Sequence, residues 1–221
     1  MKKLLLLSCL LISITCIAQK QKRAYKGSDR KFAAFTNMLS LLEPQQAAVG
    51  AGINYTINRK WHVSLELNYL FDGFVQSADD YNSTGYRVIA TVKRFTRTGV
   101  FFYGADARIK YFSYIDRQNF INTATSDTLF NVSHNASTTM TGGAGIVGIR
   151  LPISKNKRWA IEINTGVGVK YRNVERKNIP AGYAYYQDKS KKSRHPNIAD
   201  GQDIDGVGPY LPSALRIMFF F

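Results

Sequence analysis

Two long runs of strict two-residue alternation, Trp61–Phe71 and Trp159–Arg172, constrain this chain more than any other feature. In the first, Trp61, Val63, Leu65, Leu67, Tyr69 and Phe71 alternate with His62, Ser64, Glu66, Asn68 and Leu70. In the second, Trp159, Ile161, Ile163, Thr165, Val167, Val169 and Tyr171 alternate with Ala160, Glu162, Asn164, Gly166, Gly168, Lys170 and Arg172. Successive side chains on a strand point to opposite faces, so each run predicts a strand with one apolar and one largely polar face. Both runs exceed the usual strand of about 5–6 residues. Both also begin and end their apolar face on an aromatic residue, as the girdles of a membrane barrel require at the two headgroup levels.

Six further segments carry the same pattern: Lys31–Leu42, Ala47–Ile57, Tyr86–Phe95, Gly99–Phe112, Thr138–Ile153 and Leu211–Phe221. The total of eight is even and matches the smallest common barrel. In the last segment Leu215, Ile217, Phe219 and Phe221 share one face, which predicts a closing strand turned toward lipid. The connections 58–60, 96–98 and 154–158 are short and polar, as hairpin turns are. They alternate with longer loops expected at 72–85, 116–137 and 173–210, and with the brief 43–46. Short turns at one rim and longer loops at the other is the outer-membrane arrangement, the short turns being periplasmic. A soluble barrel of lipocalin type would place its apolar side chains inside. Here the inward set is rich in Gly, Asn, Glu, Arg and Lys. The expected fold is therefore all-β, an eight-stranded antiparallel transmembrane up-and-down β-barrel over residues 31–221.

The amino terminus predicts export. Lys2 and Lys3, the apolar Leu4–Ile17 and the Cys16-Ile17-Ala18 cleavage site make residues 1–18 a signal peptide, followed by a short basic segment at 19–30. A lipoprotein with Cys16 acylated is the alternative, but Ser13-Ile14-Thr15 matches that lead-in poorly. Cleavage removes Cys9 and Cys16, so the mature chain is expected to lack disulfides, a thiolate nucleophile and a cysteine metal site. Loss of Lys2 and Lys3 takes the formal charge from +15 to +13. On an exported chain that excess suggests lipid phosphate or acidic glycan as the neighbour rather than nucleic acid.

The chain resembles the small eight-stranded outer-membrane proteins of Gram-negative bacteria, and more closely a functionally uncharacterised barrel family of that class. The segments Thr36–Leu42, Val49–Tyr55 and Trp61–Tyr69 carry the resemblance. It implies an integral outer-membrane location and a carboxy-terminal strand engaged by the barrel-assembly machinery. It brings no agreed activity and no functional residues.

Inside the expected barrel, Glu66, Asp106 and Glu162 face Arg87, Lys93, Arg108, Lys110, Arg150, Lys170 and Arg172. Eight strands enclose just enough room for side chains and buried charges must be paired, so an ion-pair plug is expected rather than an anion-conducting pore. His62, Ser64 and Glu66 form an inward ladder that is also a hydrolase candidate. Lipid A deacylases are similar in using a His and a Ser two apart together with a Glu. Same-face neighbours, however, lie about 7 Å apart, too far for base–nucleophile contact without long reach. His134 and His195 lack ligand-like spacing, so no metal or other cofactor is expected. Asp200-Gly-Gln-Asp-Ile-Asp imitates a calcium loop but lacks its twelfth-position Glu.

In the long 173–210 loop, Arg176, Lys177, Lys189, Lys191, Lys192 and Arg194 are interleaved with Tyr183, Tyr185 and Tyr186. Such a loop suits charge-assisted contacts to lipopolysaccharide phosphates or an acidic glycan. The expected function is non-enzymatic: a monomeric barrel in envelope integrity or surface binding, with outer-membrane lipid as its neighbour. A lipid A-modifying hydrolase and a small passive pore are the alternatives.

Overall fold

A computed structural model describes residues 30–42, 46–72, 80–185 and 205–221. The expected signal peptide, most of the basic amino-terminal segment and the middle of the long loop lie outside the described residues. The strands are β1 (Phe32–Asn37), β2 (Gln46–Thr56), β3 (Trp61–Asp72), β4 (Asp80–Phe95) and β5 (Phe101–Asn122). There follow β6 (Thr128–Pro152), β7 (Trp159–Lys177), β8 (Tyr183–Tyr185), β9 (Gly206–Tyr210) and β10 (Ser213–Phe220). Each strand from β1 to β7 pairs antiparallel with the next. Strands β9 and β10 run in tandem along β7, and β10 returns to β1 with Phe35 opposite Met218. The result is a closed eight-stranded antiparallel barrel whose eighth wall strand is interrupted at Leu211–Pro212. Pro212 has no N–H to give the ladder, yet its carbonyl still accepts from Gly166 N at 3.0 Å.

The alternation seen in the sequence sets the two faces. In β3, His62, Ser64, Glu66, Asn68 and Leu70 are buried, while Trp61, Leu65, Leu67 and Tyr69 are exposed. In β10, Ala214, Arg216, Met218 and Phe220 turn inward. A slip of one residue would exchange these faces on either strand. The apolar belt on the outside includes Val49, Ile53, Tyr86, Val92, Ile109, Val147 and Val167.

Four segments depart from the sequence expectation. The first strand stops at Asn37, and Leu39–Leu42 forms a 3-10 turn pinned by Ser40 Oγ, which donates to the carbonyls of Asn37 and Ala48. Residues 116–137, expected as a loop, largely continue β5 and β6 into a hairpin that projects past the barrel and turns at 123–127. Asn122 Oδ1 accepts from the amides of Ala124 and Thr125 there, and β8 adds to the hairpin's edge along Phe120–Asn122. Parts of the expected 72–85 and 173–210 loops are likewise strand. These extensions lack a clean apolar face, because no continuous belt surrounds them, so period two is hard to see.

The short connections hold as turns. Asn58 Oδ1 accepts from the amides of Lys60 and Trp61, both at 2.9 Å, and Asn156 Oδ1 from that of Arg158 at 3.1 Å. Gly99 takes a φ of 71° in the middle turn, where a side chain would be strained. On the wall, Gly168 lies so close to the Gly143 carbonyl and the Ala144 side chain that an added Cβ would collide with both.

Candidate functional site

The most highly organised polar constellation lies in the lumen, where five charged side chains from five strands meet. Glu162 on β7 is fully buried and accepts from three cations. Lys93 Nζ on β4 reaches Oε1 at 2.6 Å, Arg150 Nη2 on β6 reaches Oε2 at 2.7 Å, and Arg216 Nη1 on β10 reaches Oε1 at 3.1 Å. Arg216 also turns to Glu66 on β3, with Nη2 at 2.9 Å and Nε at 3.1 Å from Oε2. Two carboxylates thus hold three cations. The remaining Glu66 oxygen accepts from Asn68 Nδ2 at 3.1 Å and Asn37 Nδ2 at 3.5 Å.

Register explains why these residues meet. Arg150 stands opposite Glu162, Glu162 opposite Arg216, and Arg216 opposite Asn37, so four neighbouring strands place inward polar groups at one level. Lys93 stands opposite His62 and Glu66 opposite Gly52, and both side chains cross the lumen from the far wall. Aromatic rings enclose the cations. The Arg150 guanidinium lies 4.5 Å from the Phe95 ring centroid, Arg216 lies 5.1 Å from Phe35, and Lys93 Nζ lies 5.4 Å from Phe102. The interior expected to be filled by polar groups therefore contains apolar layers as well. Ala33, Phe35, Ala160, Met218 and Phe220 pack toward the short-turn end, and Leu70, Phe112, Tyr114 and Met140 toward the other.

Of the predicted lumen residues, Glu66, Lys93, Arg150 and Glu162 belong to this cluster. Asp106 and Arg108 form a looser pair of their own at 3.7 Å, and the Arg108 guanidinium stacks 3.9 Å from the Tyr210 ring centroid. Arg87 is buried further along β4, opposite Asn68, and Lys170 lies on β7 opposite Gly142. Arg216 was missed by sequence reasoning, which followed the odd-numbered apolar face of the last strand. Its inward position was available from the same alternation.

The members of the His62–Ser64–Glu66 ladder have separate surroundings along the inner face of β3. The His62 ring contacts Thr56 Oγ1 at 3.1 Å, Asn54 Nδ2 at 3.4 Å and Arg150 Nη1 at 3.4 Å through Nδ1, and lies tilted against Phe95 with centroids 4.5 Å apart. Ser64 Oγ is buried and has no hydrogen-bond partner among the described residues, and Glu66 is occupied by Arg216. Among the described residues no three His, Cys, Asp or Glu side chains gather to hold a metal. Asp205, the last aspartate of the calcium-like run, accepts from the Val174 amide at 2.6 Å. Arg176 and Lys177 end β7. Lys189, Lys191, Lys192 and Arg194 lie outside the described residues, as does His195, while His134 is buried against Phe120.

The fold and lumen define a small closed β-barrel with a charge-filled interior. Residues 5–199 match the family described as Protein of unknown function (DUF3575), and the chain belongs to that family. No match was found among curated proteins.

Proposed function

We propose that this protein is an integral outer-membrane β-barrel with a non-enzymatic role in the envelope or in surface binding. One observation carries the reading: the barrel has its charges inside and an exposed apolar belt outside. Leu67 is 58%, Val167 70% and Ile53 58% exposed on separate strands, whereas Lys93 and Glu162 are fully buried. A barrel in water would expose far too large an apolar surface this way. In lipid, closure satisfies every wall strand and the belt meets acyl chains. Residues 1–18 serve as the cleaved export signal, and β10 is the segment the assembly machinery engages. In this reading the crossing is made by the strands of the closed barrel; no helix among the described residues is long and apolar enough to cross a membrane.

The binding role falls to the long-connection rim, where Arg176 and Lys177 begin the basic, tyrosine-containing segment that continues through Arg194. Those cations suit lipopolysaccharide phosphates or an acidic glycan. The protein acts as a monomer, without cofactor or nucleic acid.

The membrane reading is tested by electrophoresis in SDS of protein refolded in detergent or lipid. A folded membrane barrel runs at a different apparent size before and after boiling. Identical mobility in both lanes would remove the reading.

A further inference from the structure

The short-turn rim carries a charge pattern separate from the lumen. Arg59 and Lys60 stand on the first turn, Arg97 on the second, Lys155 and Arg158 on the third, and Lys31 precedes β1; all six are exposed. No aspartate or glutamate occurs among the described residues of this rim, at 30–32, 56–61, 94–101 and 152–159. The opposite rim is mixed: Asp72, Asp127, Glu175 and Asp205 stand there with Arg176 and Lys177. Among the described residues, the short-turn end thus carries basic side chains with no acidic side chain between them.

Lys31, Lys60 and Arg158 directly precede the rings Phe32, Trp61 and Trp159 in the chain, and a further cation, Arg94 on β4, lies against the belt itself. The Arg94 guanidinium lies 5.6 Å from the Trp61 ring centroid and 6.0 Å from that of Tyr103. Trp159 packs on Phe219 at 4.9 Å, and Phe32 on Tyr55 at 5.1 Å. Trp and Tyr rings settle at the headgroup level of a bilayer. A cation one or two residues beyond such a ring then stands at the depth of the lipid phosphates. A merely solvated charge run would not need to follow the belt from turn to turn.

We infer that the short-turn rim is a collar for anionic glycerophospholipid headgroups, whose phosphates lie between the turn cations and the aromatic ring. The inference rests on the membrane-spanning reading and adds the headgroup charge that one leaflet must supply. Arginine contributes forked donors to a phosphate and lysine a compact charge. An acidic glycan would meet the cations but leave the adjoining rings without acyl contact.

The chain has two tryptophans, Trp61 and Trp159, and both belong to this rim. Tryptophan fluorescence therefore reports on the collar alone. The full chain is folded into phosphatidylcholine vesicles containing equal mole fractions of either chain-brominated phosphatidylcholine or chain-brominated phosphatidylglycerol. Both bromolipids quench, and at low salt the anionic one quenches as though locally enriched about fivefold, the effect of one well-placed cation at an anionic surface. About 1 M salt removes the excess by screening. The variant R59Q/K60Q/R97Q/K155Q/R158Q keeps the heat-dependent gel shift and the neutral-lipid quenching but loses the anionic excess.

Equal quenching by the two lipids at low salt would overturn the collar and leave the barrel reading standing, as would an excess that the variant retains. Quenching by neither lipid would overturn the membrane-spanning reading itself. Should the variant fail to fold, the salt titration of the unaltered protein decides, since an excess indifferent to salt contradicts a headgroup collar.

Discussion

Arg216, on the strand that closes the barrel, holds the Glu66 carboxylate across the lumen through Nη2 at 2.9 Å and Nε at 3.1 Å, while its Nη1 reaches Glu162. One side chain of β10 is thereby tied to β3 and β7, at the point where the first and last strands must find each other. The hydrogen-bond ladder between β1 and β10 cannot distinguish registers by itself. A slip of one residue would carry Arg216 to the outer face, and a slip of two would set Ala214 or Met218 against the two carboxylates. The ion pairs therefore add register specificity to a ladder that supplies most of the wall.

The first prediction concerns that bridge. Arg216→Met takes from Glu66 its bidentate arginine, leaving the Asn68 and Asn37 donors in place, and removes one of the three cations on Glu162. Breaking one side of a buried pair costs about 3–5 kcal/mol. The expected result is a lowered denaturant midpoint for the lipid-folded barrel, followed by tryptophan fluorescence. Combining Arg216→Met with Glu66→Gln should recover part of the loss, because no uncompensated carboxylate then remains at Glu66. A double variant no more stable than the single one would show that the bridge is not the source.

Glu162 should matter more than Glu66. Its carboxylate serves Lys93, Arg150 and Arg216, whereas that of Glu66 serves one arginine and two amides. Glu162→Gln leaves three buried cations close together, and the loss is expected at or above the upper end of about 3–5 kcal/mol. Glu66→Gln keeps an acceptor for Arg216 and should cost less. Chemical denaturation of the two variants side by side checks the order.

A lumen filled in this way should not conduct. The cluster crosses the barrel between layers containing Phe35 and Phe220 on one side and Leu70 and Phe112 on the other. Eight strands leave little room beyond such side chains. Planar-bilayer recordings of the folded protein are expected to show no unitary steps above background. Reproducible steps would restore the passive-pore alternative.

Hydrolysis of lipid A makes a separate demand, since a serine nucleophile needs its base within hydrogen-bond reach. His62 Nδ1 is engaged by Thr56 and Asn54, and Ser64 Oγ has no partner among the described residues. Overexpression is expected to leave lipid A acylation unchanged by mass spectrometry. A change that disappears with Ser64→Ala would overturn this expectation and make the barrel an enzyme.

The parts of this fold legible in the sequence are those where burial differs sharply between two faces. Trp61–Phe71 and Trp159–Arg172 announce themselves because an apolar belt lies on one side and a charged lumen on the other. Beyond the belt, along 113–122 and 128–137, polar residues fall on both faces and the strands look like loop. Length also misleads at the first strand. The apolar Met38-Leu39-Ser40-Leu41-Leu42 prolongs its pattern in the sequence, but Ser40 bonds back to Asn37 and turns the chain. The cluster was half legible. Alternation marks Glu66, Glu162, Lys93 and Arg150 as inward, but which cation meets which carboxylate depends on register across five strands. Register is a tertiary property, and no local pattern contains it. Arg216 shows the cost of following only the apolar face of a strand, because its polar face supplied the closing residue of the network.

The outer face offers the sharpest test of its surroundings. Leu67 lies mid-strand on β3, 58% exposed, between Leu65 and Tyr69 on the same face. If that face met water, Leu67→Arg would be nearly neutral, since exposed substitutions away from special features change stability by about 0.5 kcal/mol or less. If it meets hydrocarbon, an arginine near the bilayer midplane costs about 2–4 kcal/mol. The cost should fall toward zero for the same change at Ile57, beside the short turn, where the guanidinium can reach the headgroups. Unfolding titrations in lipid of Leu67→Arg and Ile57→Arg are expected to differ by at least about 2 kcal/mol. Two equal and small effects would mean that the belt does not face a membrane, whatever its apolar composition.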